Sequence, residues 1–95
     1  MCVALVGGMD RLKRRYVMTA LARGVDLRHF ERSCPRFEEK MEGVDAIIIF
    51  TNRISHNARK RALSKGAALG VPVLMYHSSG LSSLRRCLDE ITKGK

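Results

Sequence analysis

At the centre of the sequence stands Ala46-Ile47-Ile48-Ile49-Phe50, an apolar run rich in β-branched side chains. A strand that faces water on one side alternates polar and apolar residues, and this run has no polar position. It is therefore predicted to be a strand that other elements cover on both faces. Such burial is typical of a parallel sheet between two layers of helices.

Three further strands are predicted around this run, at residues 2–6, 25–30 and 71–76. The second is the most polar, because Asp26 and Arg28 alternate with apolar residues, as at a sheet edge. Each strand is followed by a predicted helix. The second helix is short and begins at Ser33 or Cys34, and the third is capped by Ser55.

Four strands that alternate with four helices predict parallel pairing through right-handed crossovers. The expected fold is of the α/β class, a small three-layer sandwich of Rossmann or flavodoxin type, with residues 1–95 forming a single Rossmann-like domain. A sheet of four strands leaves edges that a second subunit could cover. A homo-oligomer, a dimer or larger, is therefore expected.

The composition is that of a folded and strongly basic protein. Hydrophobic residues make up 45% of the 95 residues, too many for a disordered basic tail. Lys and Arg number 18 against 9 Asp and Glu, which gives a formal net charge of +9. With two Tyr, three Phe and no Trp, the chain has few rings on which single-stranded bases could stack.

The sequence predicts a cytoplasmic protein that does not enter a membrane. No apolar run approaches the roughly 18 to 20 residues of a membrane-spanning helix, and the opening residues lack the basic region of a signal peptide. Cysteines occur only at positions 2, 34 and 87. This odd, widely spaced set is typical of free thiols rather than a disulfide framework.

All three histidines are predicted to lie at the carboxyl ends of the strands, where open parallel sheets bind ligands. His29 ends the second strand, His56 follows the third, and His77 follows the fourth. They are the candidate metal ligands. Taken singly, each can also be a polar loop residue that bonds to a neighbour.

The same edge supplies candidate pocket residues for a cofactor. The turn Gly7-Gly8 follows the first strand, and Thr51, Asn52 and Arg53 follow the third. Glycines let a backbone approach a ligand closely, and the polar side chains can bond to it. A phosphate would also suit a glycine turn before a helix, although neither G-x-G-x-x-G nor a P-loop is present.

Haem fits the histidine pattern better than zinc does, because the spacing matches no zinc motif. Haem requires one or two imidazoles, an apolar slot and cations for its propionates. His56 or His77 is the expected axial ligand, with His29 as second ligand or distal hydrogen-bond donor. A chain this small favours a site between subunits. A transition metal ion, with Cys34 beside His29, is the alternative cofactor.

The charge pattern favours a second function, from a different class. No acidic residue occurs between Ala46 and Cys87, whereas seven Lys and Arg do. Such a field attracts polyanions and can hold the phosphates of nucleic acid or of a nucleotide. The run Arg59-Lys60-Arg61 is the centre of this basic stretch, although such a run is more typical of a solvated helix face.

Motifs of catalysis are absent from the sequence. Phe50, Thr51 and Asn52 stand where a phosphoryl-accepting receiver would have an Asp, and no G-x-S-x-G is present. A non-enzymatic protein is therefore expected.

The sequence Ala-Leu-Val-Gly-Gly stands at residues 4–8, and Thr51 to His56 reads Thr-Asn-Arg-Ile-Ser-His. These stretches resemble a bacterial family of unknown function, domain of unknown function 2325, which has the same opening and a Thr-x-x-Val-x-His segment, with Ile54 here in place of Val. The strand Gly70-Val71-Pro72-Val73 and the turn at residues 77–81 are similar as well. Ser79 stands where related sequences often have Cys.

The resemblance covers nearly the whole chain and implies a small Rossmann-like domain. It also implies haem or metal binding through the matching positions His29, His56 and His77. The first expectation is thus a haem- or iron-binding module for gas, redox or haem sensing. The second is a regulatory module that binds nucleic acid or a nucleotide phosphate through its basic face.

Overall fold

The computed structural model describes residues 1–30 and 37–93, without the side chains of Phe37, Glu38 and Arg53. Its sheet has four strands, β1 (Cys2–Gly7), β2 (Asp26–Phe30), β3 (Ala46–Phe50) and β4 (Val73–Tyr76). All neighbouring strands are parallel, in the order β2-β1-β3-β4. The predicted α/β class and parallel pairing are confirmed, and β2 lies at a sheet edge as its sequence pattern predicted.

The helices of the described residues are α1 (Lys13–Leu21), α2 (His56–Leu69) and α3 (Leu81–Lys93). Short 3-10 helices span Asp10–Leu12, Phe37–Met41 and Thr51–Arg53. The predicted start of a short helix at Ser33 or Cys34, with Pro35, lies outside the described residues. None of the described helices is long and apolar enough to cross a membrane.

The two central strands, β1 and β3, are almost completely buried. In β3 every residue is buried, and in β1 every residue after Cys2 is buried. The predicted start of β4 at residue 71 was wrong by two residues, because Pro72 has no amide hydrogen. Its carbonyl accepts a hydrogen bond of 2.9 Å from Ile47, and the strand begins at Val73.

Two apolar layers cover the two faces of the sheet. On one face α1 and α3 pack through Tyr16, Ala20, Leu84 and Leu88 against alternate strand residues such as Ile48. On the other face α2 packs through Ala58 and Ala62, together with Met41 and Val44. This is the predicted three-layer arrangement.

Helix α2 approaches the sheet most closely at Gly66. A Cβ atom on this residue would lie 2.4 Å from Cγ2 of Val73 and 3.3 Å from Cδ1 of Ile47. No side chain larger than hydrogen fits there without a shift of the helix. Gly66 therefore fixes how closely α2 packs on β3 and β4.

All three helices begin at one edge of the sheet, which we name the carboxyl edge because the parallel strands end there. The helices run back to the amino edge, where the strands begin. Asp45, just before β3, marks the amino edge: its carboxylate accepts a hydrogen bond of 2.8 Å from the amide of Cys2.

Candidate functional site

The strand order reverses between β1 and β3, and in open α/β sheets ligands bind in the crevice at such a point. Tyr16, near the start of α1, and Phe50, at the end of β3, lie beside this point. Both are 0% exposed, and their rings meet edge to face with centroids 5.9 Å apart. These two side chains are thus part of the apolar core next to the usual ligand position of this fold.

The hydroxyl of Tyr16 joins two of the loops at the carboxyl edge. It accepts a hydrogen bond of 3.1 Å from the amide of Met9, after β1, and donates one of 2.6 Å to the carbonyl of Ser79, after β4. In the sequence, Tyr16 stands at helical spacing with Leu12 and Ala20, which predicts only an inward-facing helix residue. No sequence motif indicates the two hydrogen bonds that its hydroxyl forms.

Gly7 and Gly8, predicted to line a ligand pocket, are both buried. Gly8 has a positive φ of 89°, and a Cβ atom there would lie 3.2 Å from atoms of Tyr16 and Phe50. Packing therefore favours glycine at this position of the turn, because a side chain would crowd the two rings.

His29 lies inside the layer beneath α1. It is 9% exposed, its ring meets that of Tyr16 edge to face at 5.3 Å, and its Nε2 lies 2.6 Å from the carbonyl oxygen of Gly7. A carbonyl only accepts, so Nε2 carries the proton and donates. In this chain one nitrogen of His29 is committed to holding the glycine turn.

His77 is exposed at the end of β4, and a neighbouring hydroxyl orients it. Its Nδ1 lies 3.2 Å from Oγ1 of Thr51, which is also 3.4 Å from the carbonyl of Tyr76. The structure therefore brings together two of the predicted site residues, Thr51 and His77, with the imidazole facing solvent.

Asn52 is exposed and forms a second bridge between the same two loops. Its Oδ1 accepts a hydrogen bond of 2.9 Å from Oγ of Ser79, a residue that is only 3% exposed. Ser79 thus bonds to the β1–α1 side of the edge through its carbonyl and to the β3 side through its hydroxyl.

His56 is exposed at the first position of α2, just after the cap that Ser55 provides by accepting a hydrogen bond of 3.1 Å from Ala58. The side chain of the predicted residue Arg53 lies outside the described part of the chain, as does Cys34. Among the described residues, no group of three or more His, Cys, Asp and Glu could hold a metal ion. The three histidines therefore do not form one three-residue metal site within the described chain.

Comparison with known protein families gives a match over residues 2–91 to domain of unknown function 2325, described as an uncharacterized protein conserved in bacteria. The chain belongs to this family. The family resemblance of the sequence is thus confirmed, and the description names no activity or ligand. Searches of curated proteins and of solved structures gave no match.

This member of domain of unknown function 2325 carries a group of cations at the carboxyl edge, which we name the basic rim. Its members lie in or just before the first two turns of the three helices. They are Arg11, Lys13, Arg14, Arg15, Arg59, Lys60, Arg85 and Arg86. All are exposed except Arg59, which is half-buried. The one described acidic residue among them is Asp10.

Acidic side chains of this family member collect instead toward the amino edge. Asp26 begins β2, Asp45 precedes β3, and Asp89 forms an ion pair of 3.1 Å with Arg23, beyond the end of α1. Glu42 forms an ion pair of 2.7 Å with Lys65, on the second half of α2. The described part of the molecule is therefore electrically polar, with one basic and one partly neutralised edge.

A cavity of about 280 Å³ lies on the outer side of α2, lined by Arg61, Ser64, Lys65 and Ala68. None of the predicted cofactor residues lines it. Its Lys65 is already engaged by Glu42. The cavity is therefore separate from the histidines, and its Arg61 follows Lys60 of the basic rim in the sequence.

Proposed function

We propose that this protein is a non-enzymatic, regulatory module that binds the phosphate backbone of nucleic acid with its basic rim. The observation that carries the proposal is the separation of charge between the two edges of the sheet. A face with one sign of charge attracts a polyanion and orients it, and phosphate contacts supply most sequence-independent affinity.

The placement of the cations is unfavourable for the helices themselves. A helix N-terminus carries a partial positive charge and is stabilised by acidic side chains. α1, α2 and α3 have no acidic residue in the first turn, and α1 opens with Lys13-Arg14-Arg15. A local arrangement that opposes folding is typical of a functional surface, and a bound phosphate would relieve the repulsion.

Part of the basic rim is not neutralised within the described chain. Among the described residues, Arg14, Lys60 and Arg86 form no ion pair. Nε of Arg59 is buried and, among those residues, has no hydrogen-bond partner. The exposed charges of Arg14, Lys60 and Arg86 are therefore available to an external anion, whereas Arg23 and Lys65 are occupied.

The exposure of the rim favours a polymer over a buried nucleotide. Its cations lie on the outside of the carboxyl edge, whereas Tyr16 and Phe50, beside the usual position of a nucleotide, are fully buried, so an anionic ligand would lie across the outside of the edge. The scarcity of exposed rings favours a duplex over single-stranded bases. The longest dimension of the described protein is 30 Å, so one copy covers at most about one duplex turn of ~34 Å.

The proposal is tested by fluorescence anisotropy with a duplex of about 20 base pairs over a series of salt concentrations. We expect the logarithm of the association constant to fall linearly with the logarithm of salt. Lys60→Gln should weaken binding and reduce that slope by about 0.9, the loss of one phosphate contact.

The matched control is Lys93→Gln, which removes the same charge from an exposed residue at the C-terminal end of α3, away from the basic rim. It should leave affinity and slope nearly unchanged. An affinity that does not depend on salt, or an equal loss in both variants, would contradict a specific role of the rim. Competition by a mononucleotide at equal phosphate concentration would instead indicate a nucleotide site.

A second candidate function is the binding of haem or iron by His77 and His56, and the contact between Thr51 and His77 favours it. Protein histidines that bind metals have the second ring nitrogen held by a neighbouring group, as Nδ1 of His77 is held here. One copy of a 95-residue chain is small for a macrocycle, so haem would lie between two copies of the chain. It would supply the chemistry for sensing gases or redox state.

Haem titration followed by visible absorption tests this candidate separately from nucleic-acid binding. His77→Ala should abolish a saturable Soret shift, and Thr51→Val should weaken it, because the imidazole loses its orienting partner. Thr19→Val, at a half-buried position of α1, is the matched control and should have no effect. A Soret shift that is unchanged in His77→Ala would exclude His77 as ligand.

A further inference from the structure

The outer face of α1 exposes two large apolar side chains. Met18 is 54% exposed and Leu21 is 60% exposed, at positions one helical turn apart. The two residues thus share one stripe of the helix that turns away from the sheet. Large exposed apolar side chains that are grouped together are typical of an interaction surface.

Opposite charges flank this stripe at its two ends. Arg14, one turn before Met18, lies at the end toward the carboxyl edge, and among the described residues it has no ion pair. Beyond Leu21, at the amino edge, lies Asp89 of α3, which is half-exposed while it pairs with Arg23. Along the surface the order is therefore cation, apolar pair, and the half-exposed carboxylate of Asp89 in its ion pair with Arg23.

This order is complementary to itself under a two-fold rotation. When two copies face each other with their α1 helices antiparallel, Met18 of each meets Leu21 of the other. Arg14 of each then reaches toward Asp89 of the other copy. A patch that is complementary to itself is what a closed dimer requires.

We propose that this face, formed by Arg14, Met18, Leu21 and Asp89, is the interface of a symmetric dimer of this chain. The occupant is a second copy, because the cation and the carboxylate that it needs occur in the right order on the same surface. The proposal does not depend on the nucleic-acid function, and a dimer would engage Arg14 while leaving the other cations of the basic rim to a polyanion. It places the contact on α1 rather than on an open edge of the sheet.

Sedimentation velocity over a series of protein concentrations tests the interface. The wild-type chain of 10.7 kDa should show a concentration-dependent shift toward twice that mass. Met18→Glu should abolish the shift, because it buries a charge at the centre of the contact. Met75→Glu is the matched control, since Met75 is 51% exposed on β4, and it should dimerise like the wild type.

A charge exchange separates a specific contact from a folding defect. Arg14→Glu should weaken dimerisation, and the triple variant Arg14→Glu, Arg23→Glu and Asp89→Arg should restore it, because the pair with Arg23 and the contact between the copies are then both reversed. A wild type that stays monomeric at every concentration would overturn the proposal. So would a dimer that Met75→Glu disrupts and Met18→Glu does not, because the contact would then lie at β4.

Discussion

The hydroxyl of Tyr16 donates a hydrogen bond of 2.6 Å to the carbonyl oxygen of Ser79, which lies 63 positions later in the chain. The bond is buried and joins the start of α1 to the loop before α3. Ser79 in turn donates to Asn52, so three loops at the carboxyl edge are tied together. These loops position the exposed His77 and the first turns that carry the basic rim.

Removal of this hydroxyl should loosen the edge without changing the core volume. Tyr16→Phe leaves the carbonyl of Ser79 and the amide of Met9 without this partner, and a buried unsatisfied group costs about 1 to 3 kcal/mol. We expect the free energy of unfolding in urea to fall by that amount. Tyr76→Phe is the control: its hydroxyl contact with Glu90 is exposed and 3.4 Å long, and its loss should cost less.

Gly66→Ala should destabilise the protein although alanine is the better helix former. The added methyl group would meet Val73 at 2.4 Å and force α2 away from the sheet. Overpacking of this kind costs about 1 to 3 kcal/mol, more than the gain of roughly 1 kcal/mol in helix propensity.

The double variant Gly66→Ala with Val73→Ala provides the check, because it removes the group that is struck. Its free energy of unfolding should be higher than the value obtained by subtracting the losses of both single variants from that of the wild type. Simple additivity of the two losses would contradict the assigned contact.

The thiol of Cys87 should be inert and should make stability fall at high pH. Burial, with a smaller effect of the Glu90 carboxylate, raises its pKa from 9.0 to about 12. Because the folded state holds the proton more tightly, the stabilisation is complete below about pH 9 and is lost as pH rises toward 12.

Urea unfolding of the wild type and Cys87→Ala between about pH 8 and 10.5 isolates this effect, since the other titrating groups are common to both. The wild type should lose stability more steeply. Mass spectrometry after iodoacetamide treatment should find Cys87 unmodified in the folded protein. Rapid native labelling of Cys87 would contradict its burial.

Ser55→Asp should separate stability from nucleic-acid binding. Asp caps a helix as well as Ser does, and its charge interacts favourably with the N-terminus of α2 by about 0.3 to 1 kcal/mol. The same charge at the basic rim repels phosphate. We expect equal or higher stability together with weaker binding to the duplex, with Ser64→Asp, in the middle of α2, as the control. Unchanged binding would place the nucleic acid elsewhere.

Most of the fold could be predicted because burial leaves a direct trace in the sequence. The run Ala46–Phe50 has no polar position, and the structure places it in a strand of the same bounds with every residue buried. The strand ends were less accurate at β4. There the side chains gave an apolar pattern from residue 71, whereas the backbone of Pro72 decided where strand pairing began.

The site was predicted less completely, because its polar contacts join residues that are far apart in sequence. The loops that carry His56 and His77 were assigned correctly to the carboxyl edge. The burial of His29 under Tyr16 could not be predicted, since it depends on which face of β2 lies beneath α1. The two hydrogen bonds of Ser79, to Tyr16 and to Asn52, likewise form only when the fold brings the loop after β4 next to α1 and the loop after β3.

The separation of charge between the two edges also governs how the molecule moves before it touches anything. A body with cations at one end and most of its described carboxylates toward the other behaves as a permanent dipole, and near a phosphate polymer it experiences a torque. It would rotate so that the starts of its helices lead the approach. Each encounter would then begin in a productive orientation. Added salt would slow association, because screening weakens the field that orients the molecule.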